Sequence, residues 1–315
     1  MQLSPSRQTS NTISRNRESS MSQSPILITG CPRSGTKMMG RVFGTLSNQF
    51  CLISEHNNKA ADIPEDQSGV NDQQLWWNAF HYEQWDEQLN RPIIDQPTEN
   101  DASITALRER YLEIANGRTL VIKNPSHVLY TDLVLKVFPD ARIVYCLRDP
   151  WTTMHSMTKA GREGFLLRSE RVMNEGRCLL HKASISWNQA VSALISSKTE
   201  TWHTIRYEAI LQRPRHTIEK MCKSLSLDSL EGFGKAIQIP KPSENQQYFH
   251  IKSEFRNSPN RSQIEQELRS GCETFDYPQT PEHLPGTRLD HYVENANRKW
   301  KRIFHRKPAD TRAAA

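Results

Sequence analysis

The stretch Pro25–Met39, PILITGCPRSGTKMM, constrains this chain more than any other. Pro25-Ile26-Leu27-Ile28-Thr29 is continuously apolar and rich in β-branched side chains, the pattern of a parallel strand covered on both faces. It runs without a spacer into Gly30-Cys31-Pro32-Arg33-Ser34-Gly35-Thr36. The two glycines admit backbone angles closed to other residues. Ser34 and Thr36 set hydroxyls beside the free N–H groups of a helix starting near Lys37. A strand, a glycine-punctuated loop and a helix N-terminus in that order predict a phosphate-binding turn.

The loop departs from the Walker A pattern, G-x-x-x-x-G-K-[ST], in which a lysine follows the second glycine and the next hydroxyl meets Mg²⁺. Here Gly35 is followed by Thr36 and only then by Lys37. The positive charge within the loop is Arg33, whose planar fork suits an oxyanion. Cys31 precedes a helix N-terminus, where a thiol can be reactive. A phosphatase nucleophile would need C-x₅-R, and the residue at that spacing is Lys37.

Downstream, Lys37–Leu46 carries an apolar face at helical spacing and Phe50–Ile53 reads as a second strand, ending in the polar cluster Ser54-Glu55-His56-Asn57-Asn58. Residues 59–102 read as polar and irregular. Their aromatics, Trp76, Trp77, Phe80, Tyr82 and Trp85, suit either a pocket wall or a helix laid on the sheet. A helix over Ser103–Asn116, closed by Gly117, precedes a third strand, Thr119–Ile122, that delivers Lys123-Asn124-Pro125-Ser126-His127. Val128–Phe138 reads as an amphipathic helix. A fourth strand, Arg142–Leu147, delivers Arg148-Asp149-Pro150, and the helix after it carries Ser156. Val172–Ser197 is largely helical, a fifth strand covers Thr201–Ile205, and Pro214–Leu225 and Arg261–Cys272 read as helices, with no further structure predicted after Pro278.

Strands alternating with helices, and polar clusters at each strand exit, predict a P-loop-like α/β fold: a parallel sheet of about five strands flanked by helices. Ligands of such sheets sit at the carboxyl ends of the strands. We read a single domain over 25–278, a disordered polar tail over 1–24 and a basic tail over 279–315. The formal charge of +6 is not a nucleic-acid footprint. Residues 298–312 alone account for +6 and residues 1–24 for +2, which leaves the body near −2. The six scattered cysteines show no metal spacing and suit a reduced, cytoplasmic protein. No apolar run approaches the ~18 residues of a membrane span.

Four segments together, PRSGT at 32–36, KNPSH at 123–127, FPDARIVYCLRDPWTTMHS at 138–156 and IRYEAILQRP at 205–214, resemble the sulfotransferases that use 3′-phosphoadenosine 5′-phosphosulfate (PAPS). The likeness covers roughly residues 25–278 and is nearest to the bacterial and tyrosylprotein-type branches. It implies that Arg33, Ser34, Gly35, Thr36 and Lys37 hold the 5′-phosphosulfate end of the donor. It implies likewise that Arg148 and Ser156 hold the 3′-phosphate and that Tyr207 lines the nucleotide. Arg33 and Lys123 would stabilise the leaving phosphate without a metal. In the tyrosylprotein branch a glutamate base leaves the second strand, which carries over to Glu55. In the cytosolic branch a His follows a Lys at the third strand's exit, which makes His127 the rival base and His56 a distant third. Lys252, Ser253, Arg256 and Arg261 stand where a basic covering segment could lie.

The resemblance thus implies sulfuryl transfer to a hydroxyl or amine of an acceptor that could be a carbohydrate, lipid, small amine or peptide tyrosine. A P-loop kinase or NTPase, which would need an Asp to organise Mg²⁺, is the chief alternative reading. A non-catalytic nucleotide-binding protein is the second. Oligomeric state is not legible in the residues.

Overall fold

The structure, a computed structural model, describes residues 24–55, 70–159, 163–196, 202–227 and 248–284. Five parallel strands form the central sheet: β1 Ile26–Gly30, β2 Phe50–Ser54, β3 Thr119–Lys123, β4 Arg142–Leu147 and β5 Trp202–Arg206. Their spatial order is β2-β3-β1-β4-β5, so the phosphate-loop strand is central. Every residue of β1 and β3 is buried, as two-sided cover requires. Register is continuous, from Ile26 opposite Arg142 to Gly30 opposite Cys146 across β1 and β4, and from Phe50 opposite Thr119 to Ser54 opposite Lys123 across β2 and β3.

Strand alternation divides the core. Ile26, Ile28, Val121, Val144, Cys146 and Ile205 face α1 (Thr36–Gly44), α8 (Tyr207–Gln212) and α9 (Pro214–Ser224). Leu27, Leu120, Ile122 and Ile143 face α2 (Asp72–Ala79), α3 (Asp101–Ala115) and α4 (Thr131–Val137). Tyr145 and Leu147 of β4 meet α5 (Pro150–Thr158), α6 (Glu170–Glu175) and α7 (Leu179–Ser196). The last two helices, α10 (Phe249–Asn257) and α11 (Arg261–Phe275), complete that layer, with Phe255, Ile264 and Leu268 buried against Trp151 and Trp187.

Local chemistry sets the boundaries. Asn71, Asn100 and Asp149 cap α2, α3 and α5 through their side chains, and Pro150 opens α5 where its missing N–H costs nothing. Asn116 and Gly117 both take positive φ and end α3.

Several expectations are corrected. The helix read over Val128–Phe138 is a 3₁₀ turn, Pro125–Leu129, followed by the short α4, because Asn124 caps the turn through the Ser126 N–H. Val172–Ser197 is two helices broken at 176–178. The insertion is not irregular throughout: α2 lays Leu75 and Trp76 into the core, and a two-residue antiparallel ladder pairs Trp85–Asp86 with Arg91–Pro92. Helix α10 escaped the sequence reading. Residues 279–284, assigned to the tail, pack on the body, with Leu284 buried. The reading of 1–24 as disordered falls, apart from Ser24, outside the described residues, as do His56 and the basic stretch 298–312.

Candidate functional site

The loop after β1 has the predicted backbone. Gly30 takes φ 136°, and a Cβ there would lie 2.4 Å from the Cys146 carbonyl oxygen. Gly35 takes φ 107°, and a Cβ there would lie 2.8 Å from the Tyr207 ring. Arg33 between them also holds a positive φ, 71°, a conformation few side chains accept. The Ser34 N–H donates to the Cys31 carbonyl at 3.0 Å and tightens the turn. Helix α1 starts at Thr36 with no side-chain cap, so its first N–H groups and the positive end of its dipole point into the loop. Ser34 Oγ is buried without a hydrogen-bond partner among the described residues. Such a loop can take an oxyanion. Cys31 is correctly in the loop but buried, and burial pushes its thiol well above the usual range, so it is no reactive thiolate.

Arg148, at the β4 exit, meets this loop. Its Nη1 donates to the Arg33 carbonyl at 2.9 Å, its Nε to Thr152 Oγ1 at 3.0 Å, and its guanidinium lies 4.3 Å from the Tyr207 ring centroid. The pairing with Asp149 that a neighbour in sequence invites is replaced: Asp149 caps Thr152 and its Oδ2 meets His283 Nε2 at 2.9 Å. Ser156 also arrives, with Arg33 Nε donating to its Oγ at 3.0 Å. Burial and the neighbouring Arg148 lower the pKa of Arg33, and burial, Arg41 and Lys123 lower that of Lys37. Cations held this close ask for an anion.

The β2 and β3 exits supply the second pair. The Glu55 N–H donates to the Lys123 carbonyl at 3.0 Å, extending the ladder by one residue, and Lys123 Nζ donates to Glu55 Oε2. Gly40 of α1 leaves room for the Lys123 stem, whose nearest carbon lies 3.4 Å from the position a Cβ would take. His127 is elsewhere. It is 3% exposed, its Nε2 lies 3.0 Å from Asp72 Oδ2, and its ring packs 5.0 Å from that of Trp76. Asp72 also accepts from Tyr111 and Asn124. His127 therefore belongs to a buried network under α2, and it does not line the cavity described next.

An open cavity of about 1060 Å³ joins these parts. Of the residues singled out in the sequence, Arg33, Gly35, Thr36, Lys37, Glu55, Lys123, Arg148, Ser156 and Tyr207 line it. Ser34 and His127 do not. Sequence reasoning missed Arg41, Arg91, Asp95, Thr152, His155, Lys159 and Arg168, all in the wall. Burial and nearby cations lower the His155 pKa to about 4, so it is neutral at pH 7 and its Nε2 has no partner among the described residues. Burial raises the Asp95 pKa to about 6. Thr152 and His155 lay within the quoted 138–156 segment, whereas Arg91, Asp95 and Arg168 fall in the 56–102 insertion and the 157–170 region, which the sequence marks as setting the acceptor without singling out those residues. The proposed basic covering set is engaged in packing instead: Lys252 donates to the Glu282 and Leu284 carbonyls, Arg256 pairs with Glu282, and Arg261 with Glu265.

A family model described as the sulfotransferase family matches residues 25–231. A Caenorhabditis briggsae protein named "Putative protein-tyrosine sulfotransferase" is 22% identical over 210 residues, 64% of this chain and 65% of its own length, so the chain spans just under two thirds of that relative. Among solved structures, the sulfotransferase domain of the Synechococcus PCC 7002 olefin synthase matches with a TM-score of 0.49 at 14% identity, covering 81% of this chain and 96% of that one. A mouse sulfotransferase complexed with PAP matches with a TM-score of 0.41 at 14% identity, over 92% and 86% of the two chains.

Proposed function

We propose, from the premise that the chain belongs to the sulfotransferase family, that it moves a sulfuryl group from PAPS to a hydroxyl or amine of an acceptor. The observation that carries this reading is the convergence of Arg33, Arg148 and Ser156 on one cavity whose other wall holds Glu55 and Lys123. The donor's groups fit what is present. The α1 N-terminus is uncapped, and the missing side chain at Gly35 brings the loop against the Tyr207 ring.

In this reading the loop residues Arg33 to Lys37 grip the 5′-phosphosulfate, and Arg148 with Ser156 closes on the 3′-phosphate. Tyr207, already stacked on Arg148, flanks the nucleotide. Glu55 takes the proton from the acceptor's hydroxyl or amine as that atom attacks sulfur in line, and the bond between sulfur and the bridging phosphate oxygen breaks. Arg33, Lys37 and Lys123 meet the charge that grows on the departing phosphate. Lys123 is placed for both tasks, since its ammonium already touches Glu55 and reaches into the same cavity.

The kinase alternative has less support. Asp149, the one acid at the β4 exit, is spent on the α5 N-terminus and on His283, and it does not line the cavity. A cytoplasmic location belongs to the same proposal, resting on six cysteines that are all free thiols. No helix among the described residues is long and apolar enough to cross a membrane.

Calorimetry with 3′-phosphoadenosine 5′-phosphate (PAP) against ATP with Mg²⁺ tests the donor, and tight binding of ATP–Mg²⁺ alone would sink the reading. A labelled-sulfate transfer screen across phenols, sugars, amines and tyrosine peptides then separates an enzyme from a non-catalytic binder.

A further inference from the structure

The cavity holds a second cationic group away from the phosphate loop. Arg91 and Arg168 come from the insertion and from the segment before α6, and Asp95 lies with them. Three buried polar atoms there have no hydrogen-bond partner among the described residues: Arg91 Nε, Arg168 Nη1 and Asp95 Oδ1. The cluster is nonetheless fixed in place. The Asp95 N–H donates to the Arg168 carbonyl at 2.7 Å, and Ser126 Oγ, at the β3 exit, donates to Asp95 Oδ2 at 3.1 Å.

This group comes from segments other than the donor loop. The charges that act on Arg168 are Asp95, Arg91 and Asp86, whereas the charge that acts on Arg33 is Arg148. Asp86 is outside the cavity wall, with its Oδ1 accepting from the Leu89 N–H. Within the wall, two guanidiniums therefore face one carboxylate, and the residual charge is positive. Half-buried guanidiniums left with unpaired N–H groups carry an unrecovered desolvation cost, and their fork geometry matches a carboxylate or similar oxyanion.

We propose that Arg91 and Arg168, with Asp95 in the same wall, form an acceptor subsite for a molecule that bears a negatively charged group beside the hydroxyl or amine receiving the sulfuryl group. The inference rests on the sulfotransferase reading and names the acceptor class that reading leaves open. Asp95 offsets one guanidinium, so a single anionic group completes the charge balance. Its free Oδ1 accepts a hydrogen bond from an N–H or O–H of the same molecule. The sheet order agrees: Ser126 follows β3, on the opposite side of β1 from the Arg148 strand.

The test uses the full chain saturated with PAP, which fills the donor half, and calorimetric titration with 4-hydroxyphenylacetate and with the neutral 4-hydroxyphenylacetamide. The acid is expected to bind at least about tenfold tighter than the amide, the worth of one charge-assisted pair. In Arg91→Ala/Arg168→Ala that ratio falls to near one while PAP affinity stays within about twofold. An acid that binds no tighter than the amide, or a preference that survives in the double variant, overturns the subsite. If the double variant loses PAP binding, Arg168→Gln, which keeps most of the bulk, replaces it and must still lower the ratio. Failure of the wild-type chain to bind PAP would instead overturn the sulfotransferase reading, so the two failures are distinct.

Discussion

The two halves of the cavity are held by different kinds of structure. On the side proposed for the donor, Arg33, Lys37, Arg148 and Tyr207 each stand in the turn or first helical residues after a strand, and Ser156 follows within α5, on a sheet paired residue by residue from Ile26 to Gly30. On the acceptor side, Trp77, Arg91, Asp95 and Arg168 come from a short helix, a two-residue ladder and extended segments. The first half is a rigid frame that fixes charges to within a rotamer. The second is tied to the frame by the core side chains of α2 and by the Ser126 hydroxyl on Asp95, and within itself by the Asp95 N–H on the Arg168 carbonyl. Chemistry common to a family belongs on the frame, and choice of acceptor belongs on segments that can change without disturbing the sheet.

Glu55 and Lys123 lie where the halves meet, and the largest effect is expected there. Glu55→Gln removes the proposed base with little change in volume, so transfer should fall about 10²- to 10⁴-fold. PAP affinity should stay within about threefold by calorimetry. Substantial turnover in this variant would return the role to another group and break the assignment of the meeting point to chemistry.

Asp95 gives the next effect, on stability rather than rate. Its folded pKa of about 6 lies above its ordinary 3.8, with burial the first cause and Arg168, Ser126 and Arg91 opposing. Between these values the folded chain holds a proton that the unfolded chain releases. The Asp95 contribution to stability is therefore full at and below about pH 4, falls by about 3 kcal/mol, at ~1.4 kcal/mol per unit, as pH rises to about 6, and is level above. His155 works the other way, because its lowered pKa makes stability fall as pH drops below about 6.5. Both chains share His155, so the difference between wild type and Asp95→Asn isolates Asp95. Urea midpoints from pH 4 to 7 should diverge across that window, and parallel curves would show that the acceptor half does not bury this carboxyl.

The same contrast decided what could be read from the residues. The β1 loop and the β4 exit announce themselves because an apolar run must end where a polar string begins, and glycine spacing limits what the string can do. Arg33 and Lys37 were legible for that reason, whereas Arg148, Ser156 and Tyr207 were singled out by the family resemblance, and all five line the cavity. Trp76 and Trp77 were ambiguous since adjacent residues on a helix face different surroundings: Trp76 is 1% exposed in the core, while Trp77 lines the cavity. His127 misled because a His after a strand exit looks free, and only the 3₁₀ turn capped by Asn124 rotates it onto Asp72. Arg91, Asp95 and Arg168 carried no signal, because nothing local records that an isolated charge will meet two others from distant segments.

Arg148→Ala tests the frame itself. It removes the bond to the Arg33 carbonyl, the bond to Thr152 and the stacking on Tyr207. Hydrogen bonds involving charged groups contribute about 1.5–3 kcal/mol, so PAP binding should weaken about ten- to hundredfold with the fold intact by circular dichroism. Unchanged PAP affinity would detach Arg148 from the donor half.

The smallest effect expected comes from beneath the acceptor half, where Tyr111, Asn124 and His127 converge on the fully buried Asp72. Burial pushes the Asp72 carboxyl upward, but His127, Tyr111 and Asn124 together hold it below its ordinary range, so it is an ionised acceptor with two hydrogen-bond donors, Tyr111 and Asn124, beside the His127 ring. Tyr111→Phe removes one donor and leaves Asn124, which should cost about 1 kcal/mol, or roughly 2–4 °C in Tm for a chain of this size. Transfer rates should hold within about twofold, since Tyr111 does not line the cavity. A collapse of kcat at nearly unchanged Tm would mean that the network steers Lys123 through Asn124, and the boundary between frame and chemistry would have to be moved inward to include Asp72.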